Sequence, residues 1–319
     1  MSLNLEIINQ VESLHRCLPG ECKFSFFLNG QEVPVKFKKN NEKETYLIVI
    51  FHGAIDRKIR QIPAFGPFVT GLGSNVAQLS LSDPSMLRSG NFGMSWYAGH
   101  DGFRSQEILA SLFAEIERQG EYKKIVFFGS SGGGFAALYY SSLIPNSICV
   151  VSVPQTNILE YYSGHCSRYR EGCWPNLKSD NQLIEEIKVD LCSWYETIRP
   201  NTVIYIQSVG DHFHTRTQLA PFLNSISKVN NAKFILNSSY WGKLGHSRSV
   251  PKEAYMPWLR TCLMCPTNEV NDLLETHRAL NHTDNQSEDP RIKGKEVSSA
   301  VNGQLKMAEI LRNYHLDQA

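Results

Sequence analysis

The segment Lys124-Ile125-Val126-Phe127-Phe128-Gly129-Ser130-Ser131-Gly132-Gly133-Gly134-Phe135-Ala136-Ala137-Leu138 limits the fold more than any other part of this chain. A short apolar run stops at a glycine, crosses two serines and restarts after three glycines as a small-residue helix. In register, Gly129-Ser130-Ser131-Gly132-Gly133 reads G-x-S-x-G with Ser131 at the centre. That spacing marks a sharp strand-to-helix turn that holds a serine, strained, above a sheet. Glycines two before and two after the serine leave room for the neighbouring backbone. Ser130 fails the same test, because Phe128 stands two before it. The helix that starts here also aims free N–H groups at any charge developing near Ser131.

A glycine cluster after a strand can instead cradle phosphates. Here no Gly-Lys-Ser/Thr follows, and neither the G-x-G-x-x-G spacing nor the acid about twenty residues on is present. A purely structural tight turn is the remaining alternative.

With 319 residues the chain is long enough for one α/β domain with extensions. A formal net charge of +1 gives no electrostatic reason to expect nucleic acid or an anionic membrane as partner. Met1 to Leu18 mixes Glu6, Glu12 and His15 into its apolar positions, so it does not read as a signal peptide. No run of 18 apolar residues suggests a membrane span. The eight cysteines are scattered, which suits free thiols in a reducing cytoplasm better than a disulfide framework. A cytoplasmic protein is expected. Cys262-Leu-Met-Cys265 has zinc-like spacing but no second pair, so no metal is expected there.

Along the chain, Leu3 to Leu18 reads as a helix. Lys23–Leu28 and Val33–Phe37 are β-rich runs joined by Asn29-Gly30, a strong hairpin signal. Tyr46–Phe51 is a continuous apolar run suited to a strand buried on both faces, and it ends in His52-Gly53-Ala54. Strands and helices then alternate. Asn75–Leu81, Lys124–Gly129, Ser147–Val153, Thr202–Ser208 and Lys233–Leu236 are the expected strands. Ser105–Gln119, the segment after Ser131, Phe222–Val229 and Glu253–Leu263 are the expected helices. The alternation argues an α/β fold, a mostly parallel sheet flanked by helices.

Between Pro154 and Pro200 the strand rhythm lapses, with a helical stretch expected from Gln182 to Glu196. An insertion at that point would sit above the carboxyl edge of the sheet, as a cap. After Cys265 the composition turns polar, and Leu280 to Gly303 reads as a linker before a weak helical pattern over Gln304–Tyr314. The expected organisation is therefore residues 1–44 as an N-terminal helix and hairpin. Residues 45–265 form the core, with the cap at about 154–200, and 266–319 are a polar linker and C-terminal helix.

A serine nucleophile needs a base to take its proton and an acid to orient that base. In the α/β-hydrolase arrangement these follow in the order Ser, Asp or Glu, His, each on a loop at the carboxyl end of a strand. Thr202–Ser208 runs out into Val209-Gly210-Asp211-His212-Phe213-His214, which offers Asp211 as the acid. A capping aspartate in a turn is the plain alternative. Lys233–Leu236 leads to a glycine-flanked loop that carries His246, the candidate base. For the oxyanion, Gly132 supplies one N–H, and Gly53 or Ala54 the second. The His52 side chain reads as structural, and Asp83-Pro84 as a turn.

Trp96-Tyr97, Tyr161-Tyr162, Trp174 and Tyr240-Trp241 lie on expected loops near this edge; each alone reads as packing rather than ligand, and as a set they suit stacking on sugar rings. His214 reads as a loop or substrate-side residue, since i, i+2 spacing with His212 argues weakly for metal. Arg57, Lys58 and Arg60 read as a solvated basic face, with contact to an anionic donor or polymer as the alternative.

With these residues assembled, the chain resembles the α/β-hydrolase superfamily from about Tyr46 to Leu263. Within it the chain is similar to bacterial capsule and surface-polysaccharide O-acetyltransferases. The likeness rests on the Gly129–Gly134 turn with Ala137-Leu138, on Val153-Pro154-Gln155 with Tyr161, on Asp211-His212-Phe213-His214 and on Gly245-His246. The longer Pro154–Pro200 segment and the polar C-terminal stretch depart from that pattern. The resemblance implies a Ser131–Asp211–His246 triad and O-acetyl transfer to a carbohydrate acceptor. No bound cofactor is expected, and acetyl-CoA is one candidate acyl donor. A carbohydrate esterase, and a non-catalytic glycan- or protein-binding module, are the alternatives, and a homo-oligomer is left open.

Overall fold

The computed structural model describes residues 2–88, 92–242, 250–282, 306–307 and 309–311. Among them the apolar runs become eight strands of one sheet: β1 (Gly20–Leu28), β2 (Gln31–Lys39), β3 (Tyr46–Phe51), β4 (Val76–Leu81), β5 (Lys124–Ser130), β6 (Ile148–Ser152), β7 (Thr202–Ser208) and β8 (Phe234–Ser239). Their order is β1-β2-β4-β3-β5-β6-β7-β8. The first hairpin and the β2–β4 pairing are antiparallel, and every pairing from β4 to β8 is parallel. Asn29 and Gly30 both take positive φ, 49° and 74°, as a two-residue hairpin whose twist matches its strands requires.

The parallel strands β3 to β7 bury both faces, because alternate side chains enter two separate cores. Leu47, Val49, Phe51, Ile125, Phe127, Val203 and Tyr205 join the core under the helices α1 (Leu3–His15), α2 (Ser105–Gln119) and α3 (Gly132–Ser141). Ile48, Ile50, Val126, Phe128, Ile204 and Ile206 point the other way, with residues of the later helix Lys252–Met264.

Between β6 and β7 the chain forms three short helices, α4 (Ser163–Cys173), α5 (Asp180–Glu186) and α6 (Leu191–Trp194). The expected single helical stretch from Gln182 to Glu196 is broken. Ile187 is extended, and Asp190 starts a new turn by accepting from the N–H groups of Cys192 and Ser193. This segment is tied to α2 and the residues ahead of it. Tyr169 Oη donates to Gly99 O at 2.8 Å, Asp101 N to Cys173 O at 3.0 Å, and Gln106 Nε2 to Lys188 O at 2.9 Å.

After β7 come α7 (His212–His214), a π-helical turn (Thr215–Leu219) and α8 (Ala220–Ser227). After β8 come α9 (Lys252–Met264) and α10 (Val270–His282). The expected polar stretch beyond Cys265 is therefore helical over its first part, and α10 stacks His277 on Trp258 of α9 at 3.6 Å between ring centroids. Most of the expected linker lies outside the described residues. No described helix is long and apolar enough to cross a membrane.

Candidate active site

The turn after β5 forms as the glycine spacing demands. Ser131 has φ 54° and ψ −122°, a conformation that costs a non-glycine residue on the order of 1–3 kcal/mol and persists only where its surroundings impose it. The strand and helix on either side pack too closely for side chains. A Cβ at Gly129 would lie 2.3 Å from Gly133 O, and one at Gly133 would lie 2.5 Å from Phe51 O. Gly132 is the first residue of α3, so its N–H belongs to the helix end beside Ser131.

Gly53 lies against this turn: a Cβ there would meet Ser130 O at 3.2 Å and Ser131 Cβ at 3.7 Å. The loop after β3 is pinned from several sides. His52 N donates to Tyr97 Oη at 3.0 Å, and Ile55 N donates to Gly93 O at 2.7 Å. The His52 ring spans the loop, with Nδ1 2.7 Å from Gly53 O and Nε2 accepting from Asp83 N at 3.3 Å. A carbonyl only accepts and an amide N–H only donates, which assigns the ring proton to Nδ1. Burial pulls the ring's pKa down to about 4, so it stays neutral and keeps that tautomer. Pinning Gly53 O fixes the Gly53–Ala54 peptide plane and so the direction of the Ala54 N–H.

Asp83, expected only to make a turn, is buried beneath this loop. It caps a 3₁₀ turn (Pro84–Leu87) by accepting from Ser85 N, and it accepts from Tyr97 N at 2.6 Å. Burial pushes its carboxyl up to about 6 against the opposing hydrogen bonds of Ser95, Tyr97 and Ser85. An aspartate before proline at the first helical position is a helix-start signal, which could have marked it.

Asp211 follows β7, two strands across from β5 and so about 10 Å along the same carboxyl edge as Ser131. It is buried, and Oδ1 accepts from His214 N at 3.1 Å as the cap of α7. Its Oδ2 lies 2.9 Å from His214 Nδ1. The carboxylate is thus held at the strand end by the backbone and ring of His214. His246 lies outside the described residues.

The expected substrate-side residues sit differently. Trp96, Tyr97, Trp174 and His214 are each at most 3% exposed, which leaves no ring face for a sugar. Trp174 Nε1 donates to Tyr169 Oη, Tyr97 Oη donates to Leu81 O, and His214 is held by Asp211. They are packed inside the protein and do not line the cleft at Ser131, a correction to the stacking and substrate-side expectation for these four. Trp241 is half-buried against the α9 side.

Gln155 was legible only as part of a resemblance. It is fully buried, its Oε1 accepts from Trp96 Nε1 at 2.7 Å, and its Nε2 donates to Ser131 Oγ at 2.7 Å. Nothing in a Pro-Gln pair reveals a contact with a tryptophan 59 positions away in the chain.

A cleft of about 370 Å³ opens at Ser131, lined also by His52, Gly53, Ala54, Arg60 and Tyr255. A larger one, about 570 Å³, runs between α9 and α10 past Lys252 and Arg260, and includes none of these groups. The chemistry singles out the smaller.

No protein-family model matches the chain, and no curated protein matches it in sequence. Solved structures do match. A histidine variant of the capsule O-acetyltransferase of Neisseria meningitidis serogroup A, in complex with CoA, superposes with a TM-score of 0.51 at 19% identity, covering 75% of this chain and 91% of that one. The same enzyme without that substitution gives 0.50 at 18% identity, over 82% and 94%. An acylaminoacyl peptidase of Pyrococcus horikoshii gives 0.53 at 12% identity, over 86% of this chain and 46% of that one. Strand order, the strained turn after β5 and these superpositions agree: the chain has the α/β-hydrolase fold.

Proposed function

We propose that this protein is a serine acyltransferase that moves an acetyl group from acetyl-CoA to a hydroxyl of a surface carbohydrate, with Ser131, Asp211 and His246 as its triad. The observation that carries the reading is Ser131, held in a costly backbone conformation at the mouth of a cleft, with a fixed, buried carboxylate on the same sheet edge. In this reading Ser131 Oγ bonds to the acyl carbon while His246 takes its proton, and Asp211 steadies the imidazolium. The negative charge on the acyl oxygen falls to the N–H of Gly132 and to that of Gly53 or Ala54. The C–S bond then breaks, and the sulfur leaves with the proton from His246. An acceptor hydroxyl attacks the acyl-serine, gives its proton to His246, and the proton returns to Ser131 Oγ as the ester leaves.

Similarity to a CoA-bound acetyltransferase supports the choice of donor. Arg60, exposed in the cleft, is a cation suited to the phosphates of such a donor. The test is to follow CoA release from acetyl-CoA with and without capsular polysaccharides, for the native protein and for Ser131→Ala, Asp211→Asn and His246→Ala. Acceptor-dependent release, lost by about 10³-fold or more in the Ser131 and His246 variants, is expected. Acceptor-independent release of acetate would make the protein an esterase, and release unaffected by Ser131→Ala would overturn the mechanism.

A further inference from the structure

We propose that Gln155 is a catalytic residue that orients the Ser131 hydroxyl, and that Trp96 is the positioning residue that aims it. The inference rests on the acyl-transfer reading above.

The Gln155 side chain is fixed at both ends, and the chemistry of its partners assigns its two terminal atoms. An indole N–H can only donate, so the atom 2.7 Å from Trp96 Nε1 is the carbonyl oxygen Oε1. The NH₂ therefore faces Ser131 Oγ, also at 2.7 Å. The backbone is held as firmly. Gln155 N donates to Ser131 O at 3.1 Å, and the next residue, Thr156, donates its N–H to Gln218 Oε1 at 2.7 Å. Gln218 belongs to the π-helical turn that follows Asp211, a kind of irregularity often found at functional sites. Trp96 is aimed by strain of its own, with φ of 53° in a bulky residue, and its ring packs edge-on to Tyr161 and Tyr169. Val153, two residues before Gln155, also has positive φ, 40°, which a β-branched side chain rarely adopts. Strained residues thus stand on both sides of one hydrogen-bonded relay that ends on a nucleophile, where such strain concentrates.

A serine hydroxyl has one proton and two lone pairs. The proton goes to the base, one lone pair attacks the acyl carbon, and the Gln155 N–H occupies the other. That contact restricts rotation about the Cα–Cβ bond and leaves the attacking pair facing the cleft. When the acyl group departs, the C–Oγ bond breaks, the electron pair returns to Oγ, and the same N–H meets the developing charge until the base returns the proton. The donor therefore acts in both half-reactions.

The test measures the rate at which a fluorophosphonate labels Ser131, from pH 5 to 9, in the native protein, Gln155→Ala, Gln155→Glu and Trp96→Phe, with circular dichroism and thermal unfolding as fold controls. Gln155→Ala is expected to slow labelling by about 10²-fold at every pH, and Trp96→Phe by about tenfold. Gln155→Glu keeps the shape but replaces the donor by an acceptor once ionised. Its rate relative to the native protein should fall by about 10²-fold at pH 8 and recover toward pH 5, where the introduced carboxyl can donate again. A merely structural glutamine would not produce that pH-dependent ratio. Native-like labelling in a folded Gln155→Ala, or a flat ratio for Gln155→Glu, would overturn the proposal. Failure of the native protein to label at Ser131 would instead remove the acyl-transfer reading, and this inference with it.

Discussion

At the scale of residues, the part of the candidate site legible in the sequence is the part written in local spacing. Ser131 could be found because the close approach of strand and helix demands glycine at Gly129 and Gly133, and both lie two positions away. Asp211 could be placed because it follows a strand by three residues. Gln155, His52 and Asp83 were not legible as a set, because their partners come from loops brought together only by the sheet. The His52 and Asp83 pair also carries a pH signature. Burial lowers the His52 pKa from 6.5 to about 4, so the folded state resists its protonation and loses stability as pH falls through that window. Burial raises Asp83 from 3.8 to about 6, so the folded state resists its ionisation and loses stability as pH rises through nearly the same window. The two slopes oppose each other between about pH 4 and 6. Asp83→Asn removes one of them. Relative to the native protein, that variant should lose on the order of 2–3 kcal/mol more stability between pH 6 and pH 4, read by urea unfolding at each pH. Parallel stability profiles for the two proteins would contradict this account of the network.

At the scale of elements, period and length identify the strands, because inner strands of a doubly covered sheet such as Tyr46–Phe51 and Ile148–Ser152 are largely apolar runs. Helices were harder wherever tertiary contacts set their ends. The stretch from Gln182 to Glu196 has a helical pattern, yet a bridge between Asn157 and Asp190 forces extended chain through its middle. The helix α10 is not legible in the sequence because its polar face dominates its composition, and only the α9 contact makes the inner face count. Lys124 shows an element end settled at long range. From the start of β5 its Nζ reaches the carbonyls of Cys262, Cys265 and Thr267 at 2.9, 2.8 and 3.2 Å, closing the C-terminus of α9. A cation there satisfies carbonyls that the helix leaves open and meets the negative end of its dipole. Lys124→Met should lower stability by about 1–3 kcal/mol in denaturant unfolding while leaving the fluorophosphonate labelling rate of Ser131 within twofold. Undiminished stability would show that these contacts contribute nothing net.

At the scale of the whole molecule, the alternation of strands and helices was enough to indicate a parallel sheet. The strand order β1-β2-β4-β3-β5-β6-β7-β8 then puts the loops after β3, β5 and β7 at one edge. That convergence brings a strained serine, the pinned loop after β3, the buried Asp211 carboxylate and the glutamine relay to one edge of the sheet. Trp96, Tyr97 and Trp174 do not form the expected sugar-stacking surface, because the packing of the converging loops buries them. The central claim is that Ser131 carries the acyl group. Intact-mass spectrometry, after brief incubation with acetyl-CoA and separately with p-nitrophenyl acetate, tests it most directly when native protein and Ser131→Ala are compared. One acetyl group on the native protein, mapped to Ser131 and absent from the variant, is the predicted result. Equal acetylation of both proteins, or an adduct mapped to another residue, would contradict it.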